Sequence, residues 1–290
     1  MSDGRIAVLP RRGVVAVGGD EAAKFLNDLV TADVAAAAPG RAVYGALLTP
    51  QGKVLFDFIV FRDGDGFLLD PPRTAVADLI KRLSFYRLHA KVTIDDLSDR
   101  RRVLAAWGDG APAVDGIVAP DPRLVALGWR AVVAADAALP AGFAEASEAG
   151  YDAHRIGLGV PEGGIDFAYG EVFPHDVDMD QLGGVDFAKG CYVGQEVVSR
   201  MEHRGTARRR VVIARGAAPL PPVGAPLAAS EQPIGTLMSS VDGTGLALVR
   251  LDRAREAMDA GVPVTAGGTP VTLALPDWAR FGWPPAGRQD

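Results

Sequence analysis

Val54-Leu55-Phe56-Asp57-Phe58-Ile59-Val60-Phe61 is apolar at every position but one. A strand with one wet face alternates, whereas a strand covered on both faces reads as a continuous apolar run. The chain must therefore place a layer on each side of this strand, which demands a large core. At 290 residues it is long enough to build that core and to hold two domains. Asp57 is the exception within the run, and burial there raises a carboxyl pKa unless donors or a cation keep it ionised. Read by itself, it is either an aspartate satisfied by loop amides or a carboxylate placed to bind an amine.

The elements around this run are readable from spacing. Arg5 to Val17 reads as one or two short strands broken at Pro10 and Gly13. Asp20 is then an N-cap for a helix whose Ala22, Phe25, Leu26, Leu29 and Val30 share one face. Tyr44 to Leu48 and the buried run form two strands joined through the turn Thr49-Pro50-Gln51-Gly52. Arg73 to Leu88 is a helix with Val76, Leu79, Ile80 and Leu83 inward. Lys91 to Ile94, Val103 to Trp107 and Ala126 to Ala134 read as strands, with Pro112 to Pro122 as a connector. Ala144 to Ile156 reads as a helix, on which His154 is structural or exposed. Gly163 to Gly184 reads as an acidic loop, solvated or facing a ligand.

Beyond it the only cysteine of the chain lies in Lys189-Gly190-Cys191-Tyr192-Val193-Gly194-Gln195-Glu196. A helix from Gln195 to His203 follows. A thiol ahead of a helix start feels the partial positive charge of unpaired N–H groups, and an adjacent ammonium favours thiolate further. Lys189 is the candidate for that ammonium. Gly190 and Gly194 supply positive φ or close approach. The competing reading is a small buried hydrophobe, a common fate of free cysteine. Arg200, His203, Arg204, Arg208, Arg209 and Arg210 make the helix end basic, either as a solvated terminus or as an anion site.

After Val211 the texture changes. Short β-like runs (211–214, 233–239, 246–251, 262–264 and 271–275) alternate with Pro/Gly turns, the pattern of a small barrel. Arg253 to Asp259 is a short helix, and Phe281 to Asp290 is expected to be mobile.

Several chemistries are excluded. One cysteine allows neither an internal disulfide nor a cluster held by four thiolates of a single chain. Asp176, Asp178 and Asp180 alternate like the opening of a calcium loop, but Gln181 and Phe187 stand where that loop needs glycine and glutamate. His175 lacks a second histidine at ligand spacing, so no metal is expected. The net charge of −6 argues against general nucleic-acid binding. With no long apolar run and no basic-then-apolar leader pattern, no membrane association is expected and the expected setting is cytoplasmic.

The motif from Lys189 to Glu196 resembles the signature of the YgfZ family, iron–sulfur cluster assembly factors related to the T protein of the glycine cleavage system. Gly19 to Val34, Leu48 to Asp57 and Tyr151 to Phe167 resemble it as well. The resemblance implies an α+β fold: a T-protein-like, folate-binding module of mixed sheets and helices over residues 1–207, then a small β-barrel over 208–290. It implies tetrahydrofolate or a derivative as cofactor, and assembly proteins and client iron–sulfur enzymes as partners. Cys191 would be the reactive group, with Lys189 holding it as thiolate. Asp57 would face the folate ring, with Tyr192, Gln195, Glu196 and Arg200 around the ligand; Glu196 is equally a cap partner of its helix.

Two departures bear on chemistry. T proteins carry adjacent aspartates where this chain has Phe56 and Asp57, and a glutamate where it has Gly157. Both weaken the alternative, a folate-dependent aminomethyl transferase or demethylase acting on a small amine. A folate-free scaffold that docks clients is a third reading.

Overall fold

The computed structural model describes residues 4–108, 110–205 and 207–285. The chain forms two compact units, Met1–Tyr151 with Leu182–Val197, and Asp152–Gln181 with Val198–Asp290.

The first unit is built on two five-stranded sheets. Its elements are β1 (Arg5–Val8), β2 (Val15–Gly18), α1 (Ala22–Asn27), β3 (Val43–Leu48), β4 (Val54–Asp63), β5 (Gly66–Asp70), α2 (Val76–Arg87), β6 (Thr93–Asp96), β7 (Arg101–Trp107), β8 (Gly116–Pro120), β9 (Trp129–Ala134) and β10 (Ala144–Ala146). One sheet has the order β3-β4-β5-β2-β6 and the other β10-β1-β7-β9-β8. Phe56 to Phe61 of β4 are all buried, as a strand covered on both faces requires. The five apolar residues grouped around α1, Ala22 to Val30, are buried too.

Three local expectations are corrected here. The segment read as a helix from Ala144 begins as β10, which pairs in parallel with β1 (Arg5 opposite Ala144), and α3 (Glu148–Gly157) follows. The connector between Pro112 and Pro122 contains β8, paired to β9 from Gly116–Val133 to Pro120–Trp129. Glu21, not Asp20, precedes α1, with no side-chain cap.

α4 (Gln195–Arg204) follows the cysteine motif. The second unit closes a six-stranded barrel in the order β11-β14-β13-β12-β15-β16. These strands are β11 (Arg209–Arg215), β12 (Pro226–Ala229), β13 (Gln232–Val241), β14 (Thr244–Arg250), β15 (Val264–Ala266) and β16 (Thr269–Ala274), with α5 (Leu251–Asp259) between the fourth and fifth. Val212, Leu227, Ile234, Leu237, Val249 and Val264 fill it, and Leu251, Ala254 and Ala257 of α5 join that core. Of the terminal segment expected to be mobile, Phe281 lies under the Arg210 guanidinium at 4.8 Å. Residues 286–290 lie outside the described residues.

Candidate functional site

The loop that carries Cys191 is tied to the β3–β4 sheet by short bonds. Thr31 is its anchor: its hydroxyl accepts the Ala46 N–H at 2.8 Å and donates to the Gly184 carbonyl at 2.5 Å. The Thr31 carbonyl also accepts the Asp186 N–H at 2.9 Å. Asp186 then turns the chain, its Oδ1 accepting the N–H groups of Ala188 at 2.8 Å and Lys189 at 3.1 Å. At the other end Gly194 has φ 81°, and a Cβ there would lie 2.6 Å from the Thr49 carbonyl oxygen, so only glycine closes the loop. Gly190 has open space around it and no positive φ. Between these fixed points Cys191 is exposed and unbridged. It is not the buried hydrophobe of the competing reading.

Lys189 does something other than the sequence suggests. Its ammonium donates to three backbone carbonyls, Asn27 at 2.6 Å, Val30 at 2.7 Å and Ala32 at 2.8 Å. An ammonium has three donors, so all of them are committed and none is left for the Cys191 sulfur. Any hold of Lys189 on the thiolate is left to its charge and not to a hydrogen bond, and its N–H groups fasten the loop to the C-terminal end of α1, where helix carbonyls lack intrahelical partners. Burial lowers its pKa to about 8 against the pull of Asp33, Asp186 and Asp28.

Tyr192 is the residue brought up against it, the ammonium standing 5.5 Å from the ring centroid. The Tyr192 side chain is buried and its hydroxyl has no hydrogen-bond partner among the described residues. Burial, and then the Asp186 charge, push that hydroxyl up to about 12, so it stays a donor. On α4, Gln195 is half-buried while Glu196 and Arg200 are exposed. Asp57 lies one strand over from the anchor, in register with Ala46. It is 2% exposed and accepts the Tyr44 hydroxyl at 2.9 Å. The open carboxylate expected to face a pterin is therefore a covered one.

A larger buried network in the same unit was not foreseen. Asp70 accepts Arg12 Nε at 2.6 Å and lies 3.6 Å from Arg130. Arg130 reaches Asp121 at 3.5 Å and the Tyr151 hydroxyl at 3.1 Å. Arg123 grips Asp121 by two bonds of 2.9 and 2.7 Å and also donates to Tyr151. Burial raises the Asp121 pKa, but Arg123 and Arg130 outweigh it and hold the carboxylate below its ordinary value. The signal was available: Arg130 interrupts the apolar run of β9 as Asp57 interrupts that of β4.

In the second unit the three alternating acids of this loop are not solvated. Asp176, Asp178 and Asp180 are all buried. Asp176 takes Arg209 at 2.6 Å, and Asp180 takes both Arg210 nitrogens at 2.6 and 3.0 Å. The Val211 N–H donates to Asp178 at 3.2 Å. Two cations of the basic run thus fasten this loop to β11. His175, Asp180 and Glu202 bring ligand-type atoms within 4.8 Å of one another, but a guanidinium already holds both oxygens of Asp180. Nearby, a cavity of about 1020 Å³ is lined by Arg204, Arg208, Arg250 and Arg255 among others. The last two are paired with Asp252 and Asp259.

Residues 11–135 match the family model described as the GCVT N-terminal domain, and residues 208–281 that of the CAF17 C-terminal β-barrel domain. The mitochondrial iron–sulfur cluster assembly factor IBA57 of Homo sapiens is 32% identical over 307 residues, covering 95% of this chain and 84% of its own. The homologue of Pyricularia oryzae is 32% identical over 331 residues, with 94% and 84% covered. That of Mycosarcoma maydis is 35% identical over 226 residues, so the chain spans 72% of itself but only 56% of that relative. Among solved structures, the glycine cleavage system aminomethyltransferase T from Bartonella henselae superposes with a TM-score of 0.67 at 17% identity, covering 94% of this chain and 85% of the other. That likeness carries the T-protein-like fold. The relatives bear the name IBA57 and not YgfZ, and all are named mitochondrial. The cytoplasmic expectation is corrected on that ground. No helix among the described residues is long and apolar enough to cross a membrane.

Proposed function

The chain belongs to the family of the IBA57 iron–sulfur cluster assembly factors, and from that footing we propose that it serves assembly or maintenance of iron–sulfur proteins, especially four-iron, four-sulfur ones, through the thiol of Cys191. The observation that carries this reading is an exposed sole cysteine on a loop pinned on both sides, by Lys189 and by Gly194. The cluster is cargo, and a single thiolate holds it only together with ligands from another protein. Assembly proteins and client enzymes are the partners this implies. A module over 1–207 and a barrel over 208–290 remain the proposed division of the chain.

A reduced folate, tetrahydrofolate or a derivative, belongs to the proposal as the ligand of the first unit. An orphaned buried donor at Tyr192 fits such a ligand. Tyr192, Gln195 and Glu196 would hold it, and Asp57 would join them by exchanging its bond to Tyr44. A bound folate supplies a carrier for one-carbon groups. The transferase alternative would set the same Asp57 against an amine, with Phe56 standing where T proteins carry a second aspartate.

The test is complementation. Cells lacking the protein should lose activity in four-iron, four-sulfur enzymes, most of all under oxidative stress. The wild-type chain should restore it, and a folded Cys191→Ser variant should not, because a serine hydroxyl is a poor ligand for iron beside a thiolate. Full rescue by Cys191→Ser would refute the reading.

A further inference from the structure

α2 packs inward through Val76, Leu79 and Leu83, yet its last turn does the opposite. Phe85 is 73% exposed and Leu88 is 84% exposed. Single exposed leucines are ordinary on a protein surface. Here two large apolar side chains three positions apart stand on the same helix end.

The backbone adds a second observation. Leu88 has φ 41° and ψ −105°, a region that suits glycine and penalises a branched L side chain. The turn is nonetheless well held. The Ala90 N–H donates to the Arg87 carbonyl at 2.7 Å, Val92 N–H to the Ala90 carbonyl at 2.9 Å, and Lys91 N–H to Glu21 Oε2 at 2.7 Å. Leucine here costs backbone strain and also puts apolar surface in water, and neither is offset inside the unit.

Charge names the kind of occupant. Lys81, Arg82, Arg87, His89 and Lys91 are all exposed along this segment, no acid occurs from 81 to 91, and Glu21, bonded to the Lys91 N–H, is an acid that another element brings to the turn. This is a basic patch on a chain whose net charge is −6. A single-stranded nucleic acid stacks on free ring faces, whereas Phe85 stands edge-on to half-buried Tyr86 at 5.8 Å and the most exposed side chain, Leu88, is aliphatic. A membrane anchor spreads its apolar contact along a helix face, and the face of α2 is spent on the core. A compact apolar knob in a cationic rim matches instead the small desolvated centre and charged border of a protein interface.

We propose that the tip of α2, centred on Phe85 and Leu88, docks an acidic partner protein through an apolar socket. On the assembly reading above, that partner is a donor or acceptor of the cluster.

The full-length chain carrying a photoreactive benzoylphenylalanine at exposed Ser84 tests this in cells without their own copy, with adducts identified by mass spectrometry. The expected adduct is a protein of acidic isoelectric point that carries or receives an iron–sulfur cluster. Leu88→Gly should cut its yield at least fivefold while the variant melts no lower than wild type, because glycine relieves the strain. Arg82→Glu with Arg87→Glu should reduce it likewise. An adduct with lipid, RNA or a second copy of the chain, no adduct, or a yield unchanged by Leu88→Gly would each overturn the docking site. An acidic partner unconnected with iron–sulfur clusters would leave the knob standing and sink the assembly reading instead.

Discussion

Lys189→Met isolates what the ammonium does, because methionine keeps the aliphatic stem and deletes the donors. In the native chain three bonds of 2.6 to 2.8 Å join Nζ to the end of α1. A hydrogen bond to a charged group is worth about 1.5–3 kcal/mol net. Three would sum to roughly 5–9 kcal/mol, but the side chain is only half-buried, the carbonyls can rehydrate, and burying an ammonium is costly. That cost is visible in the pKa, which burial lowers to about 8. A net loss of about 2 kcal/mol is the reasoned value, read as a lower urea midpoint with unchanged slope. Cys191 should alkylate faster as well, since the loop loses its fastening, and amide exchange should rise in 184–194.

The pH dependence has a definite sign. Between about pH 8 and the ordinary lysine value of 10.5 the folded chain holds fewer protons at Lys189 than the unfolded one. Stability from this group therefore rises with pH through that window, as the burial cost of the charge is relieved, and is flat below it. The gap between wild type and Lys189→Met should widen from pH 8 to 10.5. A variant as stable as wild type with unchanged thiol kinetics would refute the fastening role, and a gap that narrows would refute the lowered pKa of Lys189.

Two further outcomes follow from buried polar atoms. Asp166→Asn weakens the 2.6 Å pair with fully buried Arg155, to which Asp166 also adds bonds from Ser239 and Glu162 N–H groups; it should cost about 3–5 kcal/mol by urea denaturation, and a loss below about 1 kcal/mol would deny the pair its structural weight. Tyr192→Phe removes a hydroxyl that has no partner among the described residues, so ligand-free stability should stay within about 0.5 kcal/mol of wild type. If a folate uses that donor, calorimetric titration with tetrahydrofolate should show binding weakened about tenfold. Unchanged affinity would remove Tyr192 from the ligand site.

What was legible in the sequence was whatever depends on neighbours in the chain. The buried strand β4, the face of α1 and five of the six barrel strands follow from local periodicity and from Pro/Gly punctuation, while β12 (Pro226–Ala229) does not. Their cores are where those patterns put them. What was illegible depends on partners far away. Ala144-Glu145-Ala146 has helix-forming composition and becomes β10 only because β1 offers an edge to pair with. Lys189 reads as a neighbour of Cys191, while its acceptors are 157 to 162 positions upstream. The acids of 176–180 look like a solvated loop until Arg209 and Arg210 fold against them. Arg130 and Asp57 are the intermediate case: a charge in an apolar strand announces a buried partner without saying which.

On the assembly reading proposed above, the single thiol sets how the candidate site would work. A four-iron, four-sulfur cluster takes four protein ligands, and this chain has one cysteine to give. An exposed loop that flexed freely would lose ordering entropy each time a shared cluster formed between two proteins. The observed loop has been ordered in advance. Thr31 and Asp186 set its entry, the three carbonyls around Lys189 hold its middle, and Gly194 against Thr49 sets its exit. Between those ties Cys191 is left exposed. On the assembly reading, the lysine next to the thiol thus acts through the backbone: it fixes where the sulfur points and leaves its chemistry to whatever protein brings the remaining ligands.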